Sequence, residues 1–393
     1  GITVSALRGD VAWQCQLSSI AGVVLAVNAD SNASLRHCLE KFEQERSLAV
    51  RPIPEDLVPW ALAVLGTEEH PGQLSLAPVA GDASHRRYFR LRLFGEPYIL
   101  VEAPPATEKN PEFLAIRQVL ADAGVCVPQL FGADLERGYL LLGDLGDRLL
   151  LSELTADSVD ACYREAFAVL RRLHTVDPPD VQWPVYDETL LREELGRFPQ
   201  WFAGALLGHA MAPPEVALWR RLDLCLVASA LEQPQVLVHR DFHSRNLMPQ
   251  PSGQLAVIDF QDAVQGPLTY DLVSLLRDCY IRWPAEQVEA WALGYLDELR
   301  AAGLVKELDD GQFLRWFDLM GLQRHLKVLG TFARLSLRDD KRGYLDDLPR
   351  VISYVLDVLD RHAARELVFA EFACWFRETL GPLIAAQDWL IIG

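Results

Sequence analysis

Three polar residues in one short stretch, and a fourth a strand later, stand at a spacing that suits phosphoryl transfer. His239, Asp241 and Asn246 read H-x-D-x4-N, and Asp259 follows in the apolar run I-D-F-Q-D. One carboxylate of such a set can orient an acceptor hydroxyl and take its proton. The other carboxylate and the amide offer oxygen ligands for Mg²⁺ bridging nucleotide phosphates. The plain alternative is a β-ribbon carrying solvated polar residues, but four identities at two linked spacings seldom coincide with the right strand context.

The elements around them are legible from periodicity. Residues 236–262 hold two β-branched apolar runs joined by Pro249, Gln250, Pro251, Ser252 and Gly253, which predicts a β-ribbon. Upstream, residues 75–93 read as strand, tight turn at Gly81-Asp82, and strand, and residues 97–103 as a third strand. A helix over 110–123 starts with Pro111 and ends at Gly124. Two further strands lead to a hinge at residues 143–146. Downstream, apolar positions three and four apart predict helices over 155–174, 188–207, 214–231, 313–337 and 347–361. The fold class expected is α+β, with a small antiparallel-sheet N-lobe over residues 53–145 and a mostly helical C-lobe over 146–393. Residues 1–52 form an N-terminal extension that matches nothing, and the tail over 365–393 carries no functional signal.

The ribbon resembles the catalytic loop and metal-binding aspartate of the protein-kinase-like bilobal fold, in the form used by aminoglycoside phosphotransferases and choline kinases. That resemblance implies Asp241 as catalytic base, with Asn246 and Asp259 holding magnesium. It puts His243 where protein kinases place a lysine facing the transferred phosphate, and makes His239 and Asp271 braces of the loop. It further implies that Gly81 and Ser84 touch the nucleotide phosphates, and that a purine binds along the backbone of Leu142, Gly143, Asp144 and Leu145. The usual third-strand lysine is absent, Val101 and Glu102 standing in its place. Either activity has been lost, as in a pseudokinase scaffold, or another cation serves. Arg87 shares a strand face with Phe89, Leu91 and Leu93, whereas Arg86, Arg90 and Arg92 face the other way. Phosphate contact and a structural salt bridge to Glu102 or Glu112 both remain open for Arg87.

At finer grain, G-D-A-S-H-R-R-Y-F-R-L, V-H-R-D-F-H-S-R-N-L-M and L-Q-R-H-L-K-V-L-G-T-F-A-R-L look like the bacterial anomeric N-acetylmuramate/N-acetylglucosamine kinases, over roughly residues 55–362. The implied activity is ATP-dependent phosphorylation of the C1 hydroxyl of an amino sugar in cell-wall recycling. Composition agrees with a small-molecule acceptor. Thirty-seven basic against 55 acidic residues leave a net charge of −18 over 393 residues, which disfavours nucleic acid and anionic membrane surfaces as partners. No Ala-Pro-Glu follows the I-D-F-Q-D strand, so a protein-substrate platform is missing. Seven scattered cysteines suggest neither a disulfide framework nor a zinc site. The apolar run over residues 20–27 is too short to span a bilayer, and a cytoplasmic location is expected. An aminoglycoside phosphotransferase is the rival reading, and it predicts carboxylates lining the acceptor pocket.

For the acceptor, Arg324, Lys327, Thr331, Arg334 and Arg338 recur at helical spacing, with His325 on the flank. A solvated basic face is one account of that stripe. The other assigns Arg324, His325 and Lys327, together with Gln261, to the sugar, with the cations on the lactyl carboxylate of N-acetylmuramate.

Overall fold

A computed structural model describes residues 52–67, 74–79, 85–176 and 184–390, together with the backbone of two short strands nearer the N-terminus. The chain forms two compact units, residues 1–66 and 67–393. In the first, β1 (Trp13–Gln14) pairs antiparallel with β2 (Ala26–Val27), and a helix spans Leu57–Val64 with Leu57, Ala61 and Leu62 buried.

The second unit begins with a five-stranded antiparallel sheet in the order β3-β4-β5-β7-β6, formed by Leu74–Val79, Arg87–Leu93, Glu96–Glu102, Tyr139–Gly143 and Leu130–Asp134. Phe94 and Gly95, both at positive φ, make the tight turn between β4 and β5. Gly138 is required as glycine, because a Cβ there would lie 2.1 Å from the Ala103 carbonyl oxygen at the end of β5. The helix Asn110–Asp122 lies on one face, where Phe113, Ile116 and Leu120 share a core with Val101, Leu140 and Leu142. Asn110 fastens its start by donating from Nδ2 to the Ala103 carbonyl at 2.7 Å. The other face is buried as well, with Phe89, Leu91, Leu93 and Leu100 at 5% exposure or less. The molecule therefore has the expected small antiparallel sheet lobe followed by a mostly helical lobe.

The expected ribbon is built as two pairs of strands. β8 (Gln235–Val238) pairs with β11 (Val264–Pro267), while β9 (Leu247–Pro249) pairs with β10 (Leu255–Val257). The polar residues lie in the two loops between these pairs, residues 239–246 and 258–263. The apolar strand ends, from Val238 and Leu247 to Val257 and Val264, are at most 2% exposed, so burial of the strands anchors both loops.

The helical lobe is crossed by one long helix, Asp310–Asp339, whose side chains are buried almost all round from Trp316 to Ala333. The helix Glu188–Leu195 continues after Gly196 into a π-helical stretch, Phe198–Leu206, that packs against the long helix. Gly330 permits this crossing, since a Cβ there would lie 2.3 Å from the Arg197 backbone carbonyl.

Candidate active site

The loop over residues 239–246 is held by backbone hydrogen bonds to buried carboxylates. Asp271, near the start of the helix Tyr270–Leu276, accepts from the N–H of His239 at 2.6 Å and of Arg240 at 3.0 Å. Asp278, just beyond that helix, accepts from the Ser244 N–H at 2.9 Å. Burial pushes Asp271 up to about 6 despite these donors and the nearby His239. His239 also ties the loop to the segment just before Asp259: its Nε2 donates to the Ile258 carbonyl at 2.9 Å, and its Nδ1 accepts from the Asp241 N–H at 3.2 Å.

These contacts bring Asp241, Asn246 and Asp259 to one place. Asn246 donates from Nδ2 to the Asp241 carbonyl at 3.0 Å, and its own carbonyl accepts from the Ile258 N–H at 3.1 Å, one residue before Asp259. Arg240 and Asp259 both have positive φ, 76° and 61°, in a region that non-glycine residues seldom occupy. Backbone strain thus flanks Asp241 and turns the Asp259 side chain at the end of its strand, as at many functional loops.

Charge is concentrated beside Asp241. Glu194, fully buried, binds Lys327 Nζ at 3.0 Å and pairs with Arg240, and the Tyr186 hydroxyl donates to it. Burial would raise Glu194, but Lys327, Arg240 and that hydroxyl hold it down at about 2. Lys327 also donates to the Tyr270 hydroxyl at 3.0 Å and stays charged, Glu194 and Tyr270 outweighing its burial. Asp241 behaves alike: burial raises it, and Lys327, Arg324 and Arg240 overcome that and hold it well below the usual carboxylate range. Arg324, only 3% exposed, has the Cys279 sulfur at 3.4 Å as its hydrogen-bond partner, a weak acceptor for a guanidinium. Arg197, Arg240 and Lys327 therefore gather on Glu194, and Lys327, Arg324 and Arg240 on Asp241, a local concentration of cations in a chain of net charge −18.

His243 stacks edge-on against Tyr280, and burial lowers its pKa despite Asp278 and Asp241 nearby. It is a neutral imidazole at neutral pH, not a fixed cation. Asn246 and Asp259 offer one amide and one carboxylate oxygen donor, and tying the Asn246 amide nitrogen to Asp241 leaves its oxygen for another partner. This hard-oxygen pair fits a magnesium ion that takes its other ligands from phosphates and water. No cluster of three or more His, Cys, Asp or Glu among the described residues forms a protein-only cage.

Other expected contacts come out differently. Arg87 lies opposite Glu102 and donates to it from Nε at 2.5 Å, on the sheet face away from the Asn110–Asp122 helix, so of its two readings the salt bridge is the one formed. Gln261 donates to Asp259 Oδ1 at 2.5 Å, which makes it a support for that carboxylate. His325 stacks on Tyr354 and bonds the Arg277 carbonyl at 2.9 Å, because its helix is buried on that side also; it belongs to the core, not the acceptor pocket. Lys327, a candidate for the sugar carboxylate, lies beside Asp241 and has an ion-pair partner in Glu194.

At the hinge, Leu142 is still within β7, paired with Ile99 and Leu130 on its two sides. The Gly143 N–H donates to the Gln129 carbonyl, and the Leu145 carbonyl accepts from Gln250 Nε2. Arg90 holds the Asp144 carboxylate from Nε at 2.5 Å and also bonds Asp147. Less of the hinge backbone is therefore open to a purine than the sequence suggests. Gly81 and Ser84 lie outside the described residues. Glu194 was missed, although its place among Leu191, Leu195 and Phe198 on one helical face marks a carboxylate turned inward.

Residues 75–305 match the phosphotransferase enzyme family. The chain is 44% identical over 287 residues to an N-acetylmuramate/N-acetylglucosamine kinase of Pseudomonas putida, an alignment spanning 73% of this chain and 84% of the relative. It is 41% identical over 314 residues to the protein of that name from Pseudomonas aeruginosa, over 79% of this chain and 88% of the other. Among solved structures, a Plasmodium vivax ethanolamine kinase superposes with a TM-score of 0.56 at 11% identity, covering 83% of this chain and 95% of that one, a likeness of fold.

Proposed function

The chain belongs to the phosphotransferase enzyme family and, within it, to the N-acetylmuramate/N-acetylglucosamine kinases, and from that premise we propose a mechanism for its transfer of a phosphoryl group from ATP to the anomeric C1 hydroxyl of these sugars. The observation that carries the acceptor assignment is the buried Arg324 beside Asp241, a guanidinium whose hydrogen-bond partner is a thiol. An anionic sugar supplies what that group lacks. A polycationic aminoglycoside would meet four cations, and it is disfavoured on charge alone.

Asp241 orients the C1 hydroxyl. Its depressed pKa makes it a weak base, so the proton moves to it late, once bond formation has acidified the hydroxyl; an anomeric hydroxyl, more acidic than an ordinary alcohol, suits such a base. Asn246 and Asp259 would hold the magnesium, which supplies charge compensation on the phosphates. His243 donates a neutral hydrogen bond toward the transferred group. Arg324 takes the lactyl carboxylate of N-acetylmuramate, while Lys327 keeps Asp241 ionised and Glu194 paired. The product would feed cell-wall recycling in the cytoplasm. No described helix is long and apolar enough to cross a membrane.

ATP consumption measured with N-acetylmuramate, N-acetylglucosamine, kanamycin and choline tests the assignment. Turnover is expected with the two amino sugars. Turnover confined to kanamycin or choline would overturn it.

A further inference from the structure

With no lysine on β5, the nucleotide phosphates need another cation, and two neighbouring arginines stand at the start of β4, Arg86 just before it and Arg87 its first residue. Arg87 is on the face of Phe89 and Leu91 and is paired with Glu102. Arg86 is on the other face. Extending the β4–β5 register by one residue sets it across from Ala103, beside Val101, on the side that carries the Asn110–Asp122 helix. It is 4% exposed, its Nε is 3.1 Å from Glu108 Oε2, and its guanidinium lies 5.0 Å above the Phe113 ring. Phe113 in turn stacks at 5.0 Å on Phe260, the residue after Asp259. Tyr88, on the same face, lies in the fields of both Arg86 and Asp259.

Protein kinases pair a third-strand lysine with a carboxylate of the small-lobe helix. Here the cation stands one strand over, and the carboxylate stands just before the helix. A buried ion pair adds little to stability against an apolar replacement, so its cost points to use. We propose that Arg86 is the cation that holds the nucleotide phosphates at the Asp259 end of the cleft, with Glu108 as the residue that positions it. This rests on the kinase reading above.

The test compares Arg86→Met, Arg86→Lys, Glu108→Gln and Arg87→Ala at saturating N-acetylmuramate, reading KM for ATP, kcat, ADP affinity by calorimetry, and Tm. Methionine keeps an aliphatic stem over Phe113 and removes the charge. Arg86→Met should weaken ADP binding and raise KM for ATP by about ten-fold or more, the scale of a lost charged hydrogen bond. Arg86→Lys should recover part of that, and Glu108→Gln should shift KM in the same direction by less. Arg87→Ala should lower Tm and leave ATP handling near wild type. A folded Arg86→Met with wild-type ADP affinity and KM overturns the assignment, as does an ATP effect that follows Arg87 instead. Because Asp259→Ala abolishes turnover if the kinase reading holds, an inactive Asp259→Ala beside a normal Arg86→Met sinks this inference alone.

Discussion

Removing the Arg324 guanidinium should separate the two sugars. N-acetylmuramate carries a lactyl carboxylate that N-acetylglucosamine lacks, so only the first can lose a charged hydrogen bond in Arg324→Ala. Such a bond contributes about 1.5–3 kcal/mol. The Cys279 sulfur at 3.4 Å is a weak partner, so binding the carboxylate gives up little that Arg324 already has, and most of that range should be realised. At 1.36 kcal/mol per decade, the selectivity kcat/KM(N-acetylmuramate) over kcat/KM(N-acetylglucosamine) should fall about 10- to 150-fold. Arg324 also helps hold Asp241 ionised, but that loss is common to both sugars and cancels in the ratio. The assay is a coupled measurement of ADP release across a concentration series of each sugar at saturating ATP. Equal losses for both sugars, or none, would refute the carboxylate assignment.

Lys327→Met should behave differently, because it removes one of the cations on buried Glu194 while Arg240 and the Tyr186 hydroxyl remain: stability should drop by about 1–3 kcal/mol in denaturant titrations, with both sugars affected alike. Lys327 is also the foremost charge lowering Asp241, so in a folded Lys327→Met the acidic limb of the kcat/KM profile should move to higher pH; an unmoved limb would contradict that coupling. Glu194, held at about 2 against an ordinary 4.5, adds stability that is complete above pH 4.5 and is lost as pH falls through its folded value. The stability gap between wild type and Glu194→Gln should therefore narrow as pH is lowered from 4.5 towards 3, and a constant gap would show that the carboxylate is not strongly coupled.

The two loops were legible because their pattern is local: Asp241, Asn246 and Asp259 sit in short loops between apolar strands whose burial the β-branched residues announce. Asp271 could be assigned as a brace, but Asp278 could not, since only the folded chain shows which backbone N–H groups reach it. On β4, alternation correctly put Arg87 with Phe89 and Leu91. It could not say which face turns to the cleft, because both faces of the sheet are buried. The long helix failed in the same way at His325: with side chains buried all round, periodicity separates faces without marking which one meets the acceptor.

The most direct test of the central claim is the turnover of Asp241→Asn, with nucleotide affinity measured on the same preparation. If Asp241 orients the C1 hydroxyl and accepts its proton, kcat should fall by about two to four orders of magnitude while ADP affinity stays near wild type. Near-wild-type turnover in a folded, nucleotide-binding Asp241→Asn would contradict it.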